Sequence, residues 1–177
     1  MKLRGEHPQY PGRPWIGGDL AFTEQVLATL EAHALEAYPS EACGFIFGPA
    51  AQPPHCDIVQ REENEADRYH ALDPETFPRT SREYFLINAL RATRAFDRGA
   101  AEGRPLKVIY HSHCEAGAYF SDEDAATFSQ RQLLTWPCAF LVLSVRDAGE
   151  GPRVVERRVW VHEPGTDRFV EAPFRLT

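Results

Sequence analysis

The 177-residue sequence has no long apolar run: its most apolar stretch, Cys138 to Leu143, falls far short of the roughly 20 residues that a membrane-spanning helix needs. Met1 to Gly18 has no apolar core behind its basic residues, so it does not read as a secretory signal. Cysteines are few and scattered. Cys43, Cys56, Cys114 and Cys138 form no CxxC pair, which suits reduced, mostly buried thiols better than a disulfide framework. Basic residues are in the minority, 19 against 26 acidic, and the net charge of −7 makes nucleic acid or an anionic membrane surface a poor partner. No basic run offsets that charge, and no internal repeat or low-complexity segment interrupts the chain. What is present is ordinary globular composition, 43% hydrophobic and 25% charged, at a length that suits one domain. The expectation is a soluble cytoplasmic domain.

Residues 1–19 are punctuated by Pro8, Pro11, Gly12, Pro14, Gly17 and Gly18 and should form an extended or irregular arm. Trp15 and Ile16 are its anchors, either to the core or to a second copy of the chain. We expect Trp15 at a subunit interface of a homodimer. The domain proper is then residues 20–177. Phe22, Val26, Leu27, Leu30, Ala34 and Ala37 recur at helical spacing until Pro39 stops them. Residues 43–48 suit a buried strand, with residues 57–61 pairing back after a proline-rich turn. A loop through Asp73-Pro74 leads to Thr80-Ser81-Arg82-Glu83, which reads as a capping box opening a helix that runs to Gly99, with Phe85, Leu86, Ala89, Leu90 and Phe96 as its buried stripe. Strands are expected over residues 106–113, 138–145, 154–162 and 168–171, and a helix over residues 121–134. Helices and strands interleave, so the class is α/β or α+β, one sheet with helices packed on it.

The stretch from Tyr110 to Asp124 carries the chemistry. Side chains at i and i+2 of a strand leave the same face, so His111 and His113 project together, and both imidazoles can reach one metal at roughly 2.0–2.1 Å. Seven residues separate His113 from Ser121, enough for a loop that folds back to the strand end. A helix starting at Ser121 places Asp124 in its first turn. Its carboxylate can complete a two-histidine, one-carboxylate set with a fourth position open, the mark of a catalytic zinc site. A plainer reading stands beside this one: Ser121 and Asp124 also suit a simple helix N-cap, and a His-x-His pair can be two hydrogen-bonded core residues. One metal geometry explains both features.

His111-Ser112-His113 followed by Ser121 and Asp124 resembles the signature of the JAMM (MPN-plus) zinc metallopeptidases. The segment from Tyr38 to Gly44 resembles the place where bacterial members carry an upstream glutamate, here Glu41. The resemblance spans about Phe22 to Val145. It implies a single MPN domain of cytidine-deaminase-like α/β architecture, with a mixed central sheet and flanking helices. It implies one Zn²⁺ held by His111, His113 and Asp124, with Glu41 moving protons and Ser121 hydrogen-bonding the developing oxyanion. The implied activity is peptide or isopeptide hydrolysis at the C-terminus of a ubiquitin-like or sulfur-carrier protein with a Gly-Gly-type tail, bound as an added strand. The short stretch between Asp124 and Cys138 leaves no room for the substrate-embracing insertions of eukaryotic members. Where the family often has proline after the second histidine, this chain has Cys114.

Three other functions are weighed. A non-catalytic MPN scaffold would bind partners through the same fold, but such relatives typically lose metal ligands. A cysteine hydrolase using Cys114 with His113 lacks a positioned orienting group. A zinc deaminase needs His-x-Glu and Pro-Cys-x-x-Cys; here Pro137-Cys138 is followed by Leu141 where the second cysteine should stand, so that reading fails. His7, His33, His55, His70 and His162 share no ligand spacing, and Cys43 and Cys138 read as packing residues.

Overall fold

Residues 5–177 are described by the computed structural model. Pro14–Gly17 makes one 3₁₀ turn and leads to a two-residue strand β1 (Ala21–Phe22). Helix α1 (Glu24–Ala37) starts on Thr23, whose side chain accepts from the Val26 amide, and buries Val26, Leu30 and Ala34. Phe22, read as part of the helical stripe, is instead fully buried from the strand. Then come β2 (Cys43–Phe47), β3 (His55–Cys56) and β4 (Ile58–Glu62). A short helix α2 (Ala66–Leu72), which the sequence pattern did not announce, precedes α3 (Ala89–Ala101) and β5 (Leu106–Cys114). Helix α4 (Asp122–Phe128) is followed by a small hairpin, β6 (Ser129–Gln130) and β7 (Leu133–Leu134). Finally come β8 (Ala139–Asp147), β9 (Pro152–His162), β10 (Phe169–Ala172) and β11 (Arg175–Leu176).

The main sheet has the order β10-β9-β8-β5-β2-β4. Only β5 and β8 run parallel; the other neighbours are antiparallel, so the sheet is mixed, as expected. Each of the apolar runs read as strands lies in it, and β8 and β5 sit at its centre, nearly every side chain buried. Helix α1 packs on β4, β8 and β9, and α3 on β5. A second small sheet, β11-β1-β3, ties the C-terminus to the start of the domain. Gly44 of β2 faces the Tyr110 ring: a Cβ there would lie 2.7 Å from it and 2.4 Å from the Gln60 carbonyl oxygen, so only glycine fits.

Two helix expectations need correction. The helix read from Ser81 to Gly99 begins only at Ala89, with the Asn88 side chain accepting from the Arg91 amide. Thr80 caps no helix, and Ser81 is bonded elsewhere. Its amide and hydroxyl both donate to Asp67, at 2.8 and 2.7 Å, and residues 84–88 form no helix. Leu90 is exposed, and Gly99 is interior to the helix, where a Cβ would press on the Phe47 ring. The helix read over residues 121–134 stops at Phe128. Arg131 and Gln132 take positive φ values of 52° and 66° and turn the chain into the β6–β7 hairpin, because Asp167 accepts from the Ser129 hydroxyl and the Gln132 amide.

The N-terminal arm also differs from expectation. Trp15 is only 4% exposed and belongs to the chain's own core, so it is not available to a subunit interface. Residues 1–4 of the arm lie outside the described residues. Further out, His7 is fully buried against His162, with Nε2 and Nδ1 3.1 Å apart. The Gln9 amide points at His7 Nδ1 (3.2 Å) and His162 Nε2 meets the Thr166 carbonyl (2.6 Å), so one neutral tautomer of each ring satisfies the whole chain. Burial, and then the neighbouring His162, hold the His7 pKa down at about 4. Asp167 and Glu163, beside His162, work the other way on that ring without overcoming its burial. A histidine depressed in the folded state stabilises at pH above its unfolded value, and that stability is lost as pH falls through the folded value. The arm should therefore stay docked above about pH 6.5 and loosen towards pH 4. Hydrogen exchange over residues 7–12, corrected for its intrinsic pH dependence, measures it across that range; protection that does not change with pH would show that the histidine pair does not hold the arm.

Candidate metal centre

Strand β5 builds the site because both its neighbours fix its register: His111 pairs with Cys43 of β2 and with Val142 of β8. Alternation then sends His111 and His113 to one face and Ser112 to the other. Ser112 is fully buried and exchanges two bonds with Ala42: its amide donates to the Ala42 carbonyl (2.9 Å) and its hydroxyl accepts from the Ala42 amide (2.8 Å). That contact places the neighbouring Glu41 at the end of the histidine strand. The loop after β5 is held by β8 and β9: Ser144 donates to the Ala116 carbonyl, Glu156 accepts from the Ala118 amide and Trp160 donates to the Ala118 carbonyl.

Helix α4 opens with a complete capping box. The Ser121 hydroxyl accepts from the Asp124 amide and Asp124 Oδ2 accepts from the Ser121 amide, each at 3.0 Å. The same Oδ2 lies 3.3 Å from His111 Nε2 and 3.9 Å from His113 Nε2, and those two nitrogens are 3.2 Å apart. The cap and the histidine pair, which the sequence offered as separate plain readings, are thus parts of one cluster. His111, His113 and Asp124 are all buried and all their ligand atoms converge, so the group could hold a metal ion.

The donor chemistry fits. His113 donates from Nδ1 to the Gly117 carbonyl at 2.7 Å, which fixes its tautomer and leaves the Nε2 lone pair facing the cluster. His111 is held by stacking on Phe85, with ring centroids 4.4 Å apart, while its buried Nδ1 has no partner among the described residues. Burial opposes protonation of His111, but the Asp124 carboxylate outweighs it and raises the pKa. Burial and then the His111 charge lower that of His113. Burial alone would raise Asp124; His111 and the Ser121 bonds reverse that and hold it at about 2. A carboxylate and two imidazoles stripped of water are ligands without other partners of comparable strength.

The cluster opens on a cavity of about 290 Å³ whose walls include Glu41, Arg82, His113, Ser121 and Asp124. Glu41 is 6% exposed. Burial, with the Asp124 charge adding and His111 subtracting, pushes its pKa up to about 8. Both side chains that sequence reasoning singled out beyond the metal group, Glu41 and Ser121, therefore face the same space as His113 and Asp124. Cys114 also borders it, but strand alternation turns its thiol from His113 to the Ser40 carbonyl, 3.4 Å away. Cys114→Ser should therefore keep bound metal and fold unchanged; loss of metal in that variant would make the thiol a ligand. Sequence reasoning missed the roles of Ser112, Phe85 and Asn64, whose contacts around the site lie 20 or more residues away and leave no local pattern.

Fold and site together define an α/β domain with a mixed central sheet and a buried His-His-Asp group at the end of its central parallel strand pair. The chain belongs to the prokaryotic homologs of the JAB domain, whose family model matches residues 23–161. Among solved structures it is similar to a JAB1/MPN domain protein from Archaeoglobus fulgidus, at 12% identity and a TM-score of 0.50, covering 90% of this chain and 99% of that one. It is also similar to solution structures of proteins from Desulfitobacterium hafniense (20% identity) and Salinibacter ruber (21%), each with a TM-score of 0.57 and covering 89% of this chain and 92% of the other. No curated protein matches the sequence. Among the described residues, no helix is long and apolar enough to cross a membrane.

Proposed function

We propose that this protein is a cytoplasmic zinc-dependent metallopeptidase or isopeptidase that cuts at the C-terminus of a ubiquitin-like or sulfur-carrier protein with a Gly-Gly-type tail. One observation carries the reading: the buried His111–His113–Asp124 group opens on a cavity that Glu41 and Ser121 also line. Two imidazoles and one carboxylate with space beside them suit zinc in a catalytic rather than a structural role. Bound there, zinc would polarise the scissile carbonyl and make water a nucleophile at neutral pH. Glu41 takes a proton from the attacking water and passes it to the leaving amine. Burial pushes its carboxyl above the ordinary range, which favours holding a proton between the two transfers. The Ser121 oxygen accepts from the Asp124 amide, which leaves its hydroxyl proton to donate to the carbonyl oxygen as charge develops.

The tail has a suitable path. Along residues 84–87, the Tyr84 carbonyl and both backbone groups of Leu86 turn towards Asn64 and Glu65. In an extended chain the backbone groups of Phe85 and Ile87 then point the opposite way. A largely apolar groove of about 140 Å³ lies between this segment and α4, with Asp124 in its lining. An extended tail pairing with Phe85 and Ile87 would reach the metal group, and the narrow groove favours small residues at its end.

Metal analysis of the purified protein beside His113→Ala tests the reading. About one zinc per chain, lost in the variant, is the expected result. No zinc after reconstitution would instead leave a non-catalytic scaffold on the same fold.

A further inference from the structure

Glu41 lies in the irregular connection between α1 and β2, where no helix or ladder bond holds it. Its backbone is nevertheless fixed at both ends. The Glu41 amide donates to the Ser81 carbonyl at 2.7 Å, and its carbonyl accepts from Asn64 Nδ2 at 3.0 Å. The second Nδ2 hydrogen of Asn64 goes to the Tyr84 carbonyl, also at 3.0 Å. Its Oδ1 accepts from the amides of Ala66 (3.0 Å) and Leu86 (3.1 Å). A carboxamide has two donor hydrogens and two acceptor lone pairs, and all four are in use. One side chain therefore ties together three segments: the connection that carries Glu41, the start of α2, and the extended wall of the groove.

We infer that Asn64 is a positioning residue for this site. It sets where Glu41 enters the cavity relative to the groove wall at residues 84–87, without touching the metal group itself. The inference rests on the proposed peptidase reading for its kinetic consequence, but not for its structural one. His111 and His113 are carried by β5 and Asp124 by the capping box of α4, neither of which bonds to Asn64. Loss of the carboxamide should thus leave the ligands in place. Only asparagine supplies this pattern at this reach. Aspartate keeps the two acceptors but loses both donors, and turns a carboxylate oxygen towards the carbonyls of Glu41 and Tyr84. Alanine removes all four bonds.

The test compares Asn64→Asp and Asn64→Ala with the wild-type chain for metal content, hydrogen exchange and turnover of a carrier protein with a Gly-Gly tail. Metal content should stay at the wild-type level in both. Exchange in the peptide spanning residues 39–43 should speed up about tenfold in both variants, whereas the Ala66 and Leu86 amides should lose protection only in Asn64→Ala. Asn64→Asp should lower kcat about tenfold with KM nearly unchanged; Asn64→Ala should also raise KM, because the groove wall loosens. Unchanged exchange at residues 39–43 overturns the inference whatever the activity. Loss of metal and fold in both variants also overturns it, making Asn64 a general stabilising residue. Faster exchange there in the variants, together with a wild-type protein that cleaves no carrier, would instead uphold the positioning and sink the peptidase reading.

Discussion

Glu41→Gln is expected, on the proposed peptidase reading, to lower turnover by about 10²–10⁴-fold, the usual worth of a positioned general acid–base, while bound zinc and fold stay as in the wild type. The position is held by its backbone, through Ser81 and Asn64, so the amide variant should occupy the same place. Glutamine has the size of glutamate but can neither accept a proton from water nor carry one to a leaving amine. The metal-free protein supplies a second readout. With burial raising the folded-state pKa to about 8, ionisation of Glu41 opposes folding as pH rises from the ordinary carboxyl range towards 8. The metal-free variant should therefore be at least as stable as wild type at pH 8. Turnover within a factor of a few of wild type would remove Glu41 from the mechanism, and loss of zinc would place it among the ligands.

Lys107→Met is expected to destabilise the fold by about 3 kcal/mol or more, through the carbonyls it leaves dry. Lys107 sits in β5, fully buried, and its three ammonium hydrogens are shared among four backbone carbonyls, Pro49, Gln52, Pro53 and His55, at 2.8–3.0 Å. It also lies 5.1 Å from the centroid of the Trp15 indole, a cation–π contact that ties in the N-terminal arm. Burial lowers its pKa to about 8 but leaves it charged at neutral pH. Methionine preserves the stem and removes the donors, so packing changes little and hydrogen bonding changes much. For a chain of this size such a loss corresponds to a drop in Tm of about 6–12 °C, readable by calorimetry. A Tm within about 2 °C of wild type would mean that water satisfies the four carbonyls in place of the ammonium.

Both predictions depend on residues whose partners are far away in sequence, and there the sequence reading was weakest. His111, His113 and Asp124 were legible because their geometry is local: strand alternation aligns the histidines, and a helix cap a few residues later presents the carboxylate. Glu41 was reached through family resemblance, since its approach depends on the pairing of Cys43 with His111 and on Ser112 holding Ala42. Residues 80–88 misled because their spacing suits a helix. Asp67 takes the Ser81 amide and hydroxyl, and Asn64 fixes the Leu86 amide, so the chain stays out of a helix until Asn88. Residues 129–134 misled likewise: Asp167, over 30 residues on, binds the Ser129 hydroxyl and the Gln132 amide, and the chain turns into a hairpin.

The sequence by itself determined the α/β class, the central strands and the candidate His-His-Asp metal group, because apolar runs, period-two alternation and a capping box act over a few residues. Tertiary structure alone decided where Glu41 stands, where α3 begins, how far α4 extends and that Trp15 belongs to its own core. Each of those depends on a buried polar group finding a partner, and when the backbone is taken out of water the partner can come from anywhere in the chain.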